Sequence, residues 1–371
     1  MVPSGSEKFE RIVLLSDYAS VSLAQEVYRY LDKERIYGEV HEFSPEDLYI
    51  NRFNDLETEV VLNTEVRGRH IFVIKSFSTA QKRFPYDYKS KKWEQRPKLS
   101  DLALDPDKGY VELFTINNAL DLSSVSGITN ILPFMPYLRA DKKSHSGEPI
   151  TAKLMAKLTE ASGANRIVTV HPHFQQVQGF YDRAKFEILD SRVLFADWLL
   201  DNYSRDELAI IATDSNSAHA VDKLAGDLRV SHGIAYKSRD RPGSVKETRI
   251  MYDGSLEGKI AVVYDDIIDT GGSLVNCAEY AKRKGAKGII ACMTHPVLSE
   301  KAKDMLVEND IRLVTTDSIL IPDKDAYPNI TVLSLGYLLA EAINCITSGR
   351  RIHQHLYNFE GFRKVKKSRG L

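Results

Sequence analysis

Short apolar, β-branched runs alternate along the chain with stretches whose apolar residues recur at helical spacing. Arg11-Ile-Val-Leu-Leu15 and His70-Ile-Phe-Val-Ile74 read as buried strands, with a helix from Ser20 to Leu31 between them. Phe53-Asn-Asp-Leu-Glu57 falls between these units as a turn or strand edge. Gly109 to Leu122 is helical, and Asn130-Ile-Leu-Pro-Phe-Met-Pro-Tyr137 ends a strand in a proline-stiffened loop. Pro149 opens a helix running from Ile150 to Ala161, since proline in a first turn loses no hydrogen bond. Arg166 to Val170 is a further strand, followed by His171-Pro-His173.

A second series begins near Ser191, with strands at Leu208 to Ala212, Gly233 to Lys237, Ile260 to Val263, Gly288 to Met293 and Ile311 to Thr315. Thr213-Asp-Ser-Asn-Ser217 leads into a helix ending near Leu228, and Leu335 to Ser348 is another. This alternation predicts an α/β protein of two tandem domains, each a mostly parallel sheet flanked by helices. The expected bounds are residues 8–190 and 191–348, with a segment 349–371 packing back on the N-terminal domain and ending in the basic run Arg363 to Arg369.

The pattern breaks down between Ala80 and Lys108, where Lys82, Arg83, Lys89, Lys91, Lys92, Arg96 and Lys98 interleave with Phe84, Tyr86, Tyr88 and Trp93. Such a mixture suits single-stranded nucleic acid, through phosphate contacts and base stacking. The formal net charge of the whole chain is only −1, so this stretch reads instead as a solvated insertion, with no nucleic-acid or membrane partner. At 43% hydrophobic and 27% charged residues, the composition is that of a soluble globular protein. The three cysteines are widely spaced, no apolar run approaches ~18 residues, and Met1 to Ser6 has no secretory signature. A cytoplasmic protein is expected.

The richest stretch is Ile260-Ala-Val-Val-Tyr-Asp-Asp-Ile-Ile-Asp-Thr-Gly-Gly-Ser273. Asp265 and Asp266 follow an apolar strand, at the end where open α/β sheets bind ligands. The small-residue turn Thr270-Gly-Gly-Ser273 then enters a helix, offering backbone N–H groups and a positive dipole end to a phosphate. Acids beside a phosphate cradle repel the ligand unless they face ribose hydroxyls or a bridging cation. The stretch therefore points to a sugar phosphate with magnesium nearby.

Asp265 to Ser273 resembles the ribose-phosphate signature of type I phosphoribosyltransferases. Four more segments, Arg52-Phe-Asn-Asp-Leu-Glu-Thr58, Pro136-Tyr-Leu-Arg-Ala-Asp-Lys-Lys143, His173-Phe-Gln-Gln-Val-Gln-Gly-Phe180 and Lys237-Ser-Arg239, narrow the likeness. In this order and spacing, with Ile343 to Tyr357 similar as well, the chain from about residue 10 to 358, apart from the insertion, resembles the ribose-phosphate pyrophosphokinases.

That resemblance implies two phosphoribosyltransferase-like domains and transfer of the β,γ-diphosphate of ATP to the C1 hydroxyl of ribose 5-phosphate. By resemblance, Phe53, Asp55 and Glu57 contact adenine across a subunit interface, Arg139 meets the ATP phosphates, and His173 helps place ATP-bound magnesium. Asp269, Thr270, Gly271, Gly272 and Ser273 hold the 5-phosphate, while Asp265 and Asp266 face the ribose hydroxyls beside Asp214. Lys237 and Arg239 belong to the catalytic loop, and Mg2+ has His173, Asp214 and Asp265 as its candidate ligands. A homo-oligomer, dimer or hexamer, is implied.

Several positions depart from the family pattern. Ala140 replaces a glutamine, Ser144 an aspartate, His171 an aspartate and Gly147 an arginine linked to phosphate regulation, while an Asp-x-Gly-Gly loop here reads Asp214-Ser-Asn-Ser217. Two alternatives follow: a pyrophosphokinase acting on a larger phosphoribosyl acceptor such as ADP-ribose, and a non-catalytic synthetase-associated regulatory protein.

Overall fold

A computed structural model of the protein describes residues 12–33, 40–82, 84, 86–87, 90, 92–93, 97–238, 247–252, 254–299, 301–352, 356 and 358–368. The chain forms two compact units: Met1–Leu189 with Leu335–Ile352, and Asp190–Ser334 with His353–Leu371.

The first unit is built on an all-parallel sheet in the order Ile12–Ser16, His70–Ile74, Gly127–Leu132, Arg166–Val170, Lys185–Leu189. Val13 to Leu15 and Ile71 to Ile74 are fully buried, as strands covered on both faces must be. Val40 bridges to Ile12 on that strand's other side, so the order reverses between Ile12–Ser16 and His70–Ile74. Pro106–Leu122 starts with proline, and the Asp105 carboxylate accepts the Lys108 N–H at 3.1 Å as its cap. The helix expected from Ile150 begins at Thr151.

Helix Gly336–Ser348, expected in the second domain, belongs to the first unit and packs on Val21–Lys33. The fit depends on a missing side chain, since a Cβ at Gly336 would stand 2.8 Å from Glu26 Cγ. Next to it, the rings of Tyr30 and Tyr337 meet edge to face at 5.7 Å.

The second unit holds seven strands in the order Glu247–Tyr252, His232–Ser238, Leu208–Ala212, Ile260–Ile268, Gly288–Pro296, Ile311–Thr316, Ile330–Leu333. Only the edge strand Glu247–Tyr252 runs antiparallel to its neighbour. The chain builds outward from Leu208–Ala212 to one side, then starts again at Ile260–Ile268 on the other. That reversal is the switch point at which doubly wound sheets bind ligands.

The C-terminal segment was expected on the N-terminal domain, yet its helix Phe359–Ser368 lies in the second unit, against Arg192–Asn202. Charge decides the docking: Arg363 reaches Asp197 at 2.7 Å and Asp201 at 2.5 Å, and Lys366 also pairs with Asp197. The end of the expected basic run, from Arg369, lies outside the described residues.

The insertion is more than a solvated loop. Ser78–Ala80 pairs antiparallel with Leu102–Leu104 as its neck, and Tyr86–Asp87 pairs with Lys92–Trp93 further out. Phe84, between these ladders in sequence, is buried, while Arg83, Tyr88, Lys89, Lys91 and Arg96 lie outside the described residues.

Candidate active site

In the second unit, Ile260–Ile268 outruns one of its neighbours. Its ladder to Leu208–Ala212 ends at Tyr264, whereas the ladder to Gly288–Pro296 continues to Ile268. Asp265 and Asp266 were expected beyond the strand's end; they lie within it, on the stretch whose other edge has lost its partner strand. Strand geometry therefore fixes the acids, and the gap beside them at the switch point is filled by the Thr213–Ser217 loop.

Contacts at this edge are specific. The Thr213 hydroxyl donates to Asp265 Oδ2, and the Asp266 N–H donates to Asp265 Oδ1 at 2.9 Å. Burial, reinforced by the Asp266 charge, pushes the Asp265 carboxyl up to about 7. An adjacent cation would relieve both effects. The oxygen-only donors fit magnesium, which binds proteins through one or two carboxylates and keeps waters or substrate phosphates as its other ligands. Among the described residues, no three His, Cys, Asp or Glu side chains converge as a preformed metal cage.

Asp214 serves its own loop. Its Oδ1 accepts the N–H of Asn216 at 2.8 Å and of Ser217 at 3.3 Å, and the Ser217 hydroxyl returns to the Asp214 carbonyl at 3.3 Å. The Asp214 carboxylate thus closes the loop on itself as an Asx turn, and the Ser217 hydroxyl adds the one side-chain bond from a position where the family pattern has glycine.

The expected phosphate loop runs from Asp269 into helix Gly272–Arg283. Gly271 caps the helix with φ +81°, a conformation that favours glycine, and a Cβ at Gly271 or Gly272 would meet nothing within 4 Å. Gly271 brings no side chain to cap this helix. From the loop after Gly288–Pro296, the Ser299 hydroxyl donates to Asp269 and the Leu298 N–H donates to the Ile268 carbonyl at 3.1 Å. Sequence reading missed this second anchor, which nothing near Asp269 in the chain announces.

Lys237, expected where the strand from Gly233 gives way to a polar loop, lies in strand His232–Ser238 with Thr248 as its ladder partner. Its side chain and Arg239 lie outside the described residues.

In the first unit, Phe53 to Glu57 form the turn of a hairpin between Leu48–Arg52 and Thr58–Leu62, neither of which was read as a strand. Phe53 and Glu57 close it through an N–H to carbonyl bond of 2.9 Å, Leu56 has φ +73°, and all five turn residues are exposed. Arg139 and His173 are exposed on the loops after Gly127–Leu132 and Arg166–Val170.

The first unit's own switch point is closed by charge. Lys75 follows His70–Ile74 and is fully buried, its Nζ 3.0 Å from Asp17 Oδ2 and 2.7 Å from Glu112 Oε2. Arg52 completes the group, 2.5 Å from Glu112 Oε1. A lysine directly ending an apolar strand was the available signal for this cluster.

Residues 12–163 match the N-terminal domain of ribose phosphate pyrophosphokinase, and residues 237–357 match a phosphoribosyl synthetase-associated domain. Ribose-phosphate pyrophosphokinase 1 of Listeria monocytogenes is 32% identical over 295 residues, covering 79% of this chain and 84% of that one. This chain belongs to the ribose-phosphate pyrophosphokinase family. The ribose-phosphate pyrophosphokinase of Fusobacterium nucleatum is also 32% identical, over 311 residues that make up 83% of this chain and 89% of the relative. The crystal structure of phosphoribosylpyrophosphate synthetase from Mycobacterium smegmatis superposes with a TM-score of 0.74 at 28% identity, covering 91% of this chain and 99% of that one. The pyrophosphokinase fold thus accounts for both sheets, and the switch point of the second unit coincides with the Asp265–Ser273 stretch.

Proposed function

We propose that this chain transfers the β,γ-diphosphate of ATP to the C1 hydroxyl of ribose 5-phosphate, giving phosphoribosyl pyrophosphate and AMP. The observation that carries the reading is the juxtaposition of the glycine-capped helix start at Gly271–Gly272 with the half-paired Asp265–Asp266 edge. A phosphorylated sugar needs both: amide donors for the 5-phosphate, and acceptors for the hydroxyls at the far end of the ring. Asp269 to Ser273 hold the phosphate, and Asp265 and Asp266 accept from the ribose hydroxyls.

ATP is assigned to the first unit, with adenine on Phe53, Asp55 and Glu57 and phosphates at Arg139 and His173. The sugar C1 oxygen attacks the β-phosphorus, its proton leaves, and the bond from that phosphorus to the α,β-bridging oxygen breaks to free AMP. Charge gathers on the phosphate oxygens, so Lys237 and Arg239 are assigned to meet it. Mg2+, when bound, neutralises phosphate charge; Asp265 is its best-placed ligand, with Asp214 and His173 as further candidates. The protein acts as a cytoplasmic homo-oligomer in this reading, a dimer or hexamer.

The self-closed Asp214–Ser217 loop supports a second reading, in which the acceptor is a larger phosphoribosyl compound such as ADP-ribose. Incubation with ATP, magnesium and either acceptor, followed by mass spectrometry, tests both. AMP and phosphoribosyl pyrophosphate are expected with ribose 5-phosphate. AMP only with ADP-ribose moves the assignment to the second reading, and AMP with neither removes catalysis.

A further inference from the structure

The hairpin Leu48–Leu62 carries an exposed five-residue turn on a stem whose outgoing strand, Leu48–Arg52, is buried throughout. Two polar side chains on that strand, Asn51 and Arg52, are 3% and 2% exposed. Burying them is costly unless every polar atom finds a partner, and each has one partner from far along the chain.

Asn51 grips the insertion. Its Nδ2 donates to the Phe84 carbonyl at 2.8 Å, while its Oδ1 accepts the Phe84 N–H at 2.9 Å. The amide thus pairs with both backbone groups of one residue, as a ladder partner would. It also donates to the Tyr49 hydroxyl, and the Phe84 ring is itself buried, with Lys82 Nζ 5.2 Å from its centre. Arg52 grips the other side, donating to Glu112 on helix Pro106–Leu122 and to Thr58 on the return strand. Asn51 and Arg52 immediately precede Phe53, so the turn starts from two fixed points.

We infer that Asn51 is a positioning residue for the nucleotide base and that the insertion, through Phe84, is the clasp that holds the base-binding turn in place. The inference rests on the assignment of adenine to Phe53, Asp55 and Glu57. It gives the Ala80–Lys108 segment a role in ATP recognition through a described contact, in place of the solvated insertion its composition suggested. An exposed turn is a poor platform for a planar ring unless its stem is rigid, because small displacements of a positioning group are costly to binding and turnover.

Asn51→Ala in the full-length protein tests this, with ATP and ribose 5-phosphate binding measured separately by calorimetry and unfolding followed thermally. ATP affinity is expected to fall about tenfold, the equivalent of losing one or two good hydrogen bonds, while ribose 5-phosphate affinity stays within about twofold. Phe84→Ala, which removes the ring but keeps the backbone groups Asn51 holds, is expected to show the same selective loss. Unchanged ATP affinity in both variants overturns the inference, as does equal weakening of both ligands with a lowered melting temperature, which marks a merely structural role. A wild-type protein that binds ribose 5-phosphate but no ATP overturns the adenine assignment itself, a result distinct from either.

Discussion

The hydroxyl of Thr213 donates a hydrogen bond to the carboxylate of Asp265 across the point where the second sheet's strand order reverses. This contact ties the Thr213–Ser217 loop to the acid on the half-paired edge, and it orients that carboxylate for a ligand. Thr213→Val keeps the shape and removes the donor. We expect kcat/KM for the phosphoribosyl acceptor to fall about tenfold, with ATP binding retained, and Thr213→Ser to restore most of it. Steady-state kinetics on the three proteins check this, and an unchanged kcat/KM in Thr213→Val would contradict it.

Gly271 caps the phosphate-loop helix in the left-handed region, with free space where a Cβ would go. Gly271→Ala therefore meets no clash, and its penalty is conformational, about 1–2 kcal/mol. The strain turns the first amides of the helix away from the phosphate. A rise in the KM for ribose 5-phosphate, without a change in the KM for ATP, is the expected signature.

Ser299 pins Asp269 at the head of the same loop. Removing its hydroxyl in Ser299→Ala releases the loop without touching the amide donors. We expect a rise of about threefold to tenfold in the KM for ribose 5-phosphate, smaller than in Gly271→Ala or equal to it. Loss of ATP binding in this variant would be inconsistent with the assignment.

Lys75 is central to the buried group formed with Asp17, Glu112 and Arg52. Lys75→Met leaves two buried carboxylates facing a single cation, so a destabilisation of about 3–5 kcal/mol is expected in urea unfolding. Burial works against the charged ammonium, but Glu112 and Asp17 outweigh it and raise the Lys75 pKa above its ordinary 10.5. A folded-state pKa raised in this way gives stability that is complete below 10.5 and lost only as pH climbs through the higher value. The wild-type contribution should therefore stay flat through neutral pH, and unfolding measured from pH 6 to 9 should show no Lys75-dependent slope.

Asp197 binds both Arg363 and Lys366 of the C-terminal helix. Asp197→Ala should free that helix at a cost of about 1–2 kcal/mol to its docking. Limited trypsin digestion reads this directly, because Arg363 and Lys366 then become early cleavage sites.

The parallel core was legible because it is local. Ile260 to Val263 and Ile71 to Ile74 are continuous apolar runs, and a covered strand suits them. The continuation to Ile268 was not legible, since it depends on a neighbour, Gly288–Pro296, that carries the ladder past Asp265. The hairpin strand Leu48–Arg52 was missed for a similar reason. Asn51 and Arg52 look like surface residues until Phe84 and Glu112, far away in sequence, supply their partners. Lys185–Leu189 carries Lys185 and Glu187 within five residues, which hides its strand character. The two C-terminal segments were placed on the wrong units because helix docking is set by details such as Gly336 against Glu26 and Arg363 against Asp197. At the candidate site, the sugar-phosphate reading came from the chemistry of the acids and the glycine turn, whereas the proposed ATP-side residues came only from the family likeness.

Helix Gly336–Ser348 returns to the first unit after the second sheet is complete, and the last helix then rejoins the second. Neither unit is therefore a contiguous piece of polypeptide. A gene cut at residue 190 yields one half without the cover over Val21–Lys33 and another half with a stray apolar helix. On a ribosome, the first sheet waits for the whole second sheet to be made before that cover arrives. Domain-swapped chimeras of this protein must exchange residues 335–352 together with the first segment, and designs that ignore this interleaving should aggregate.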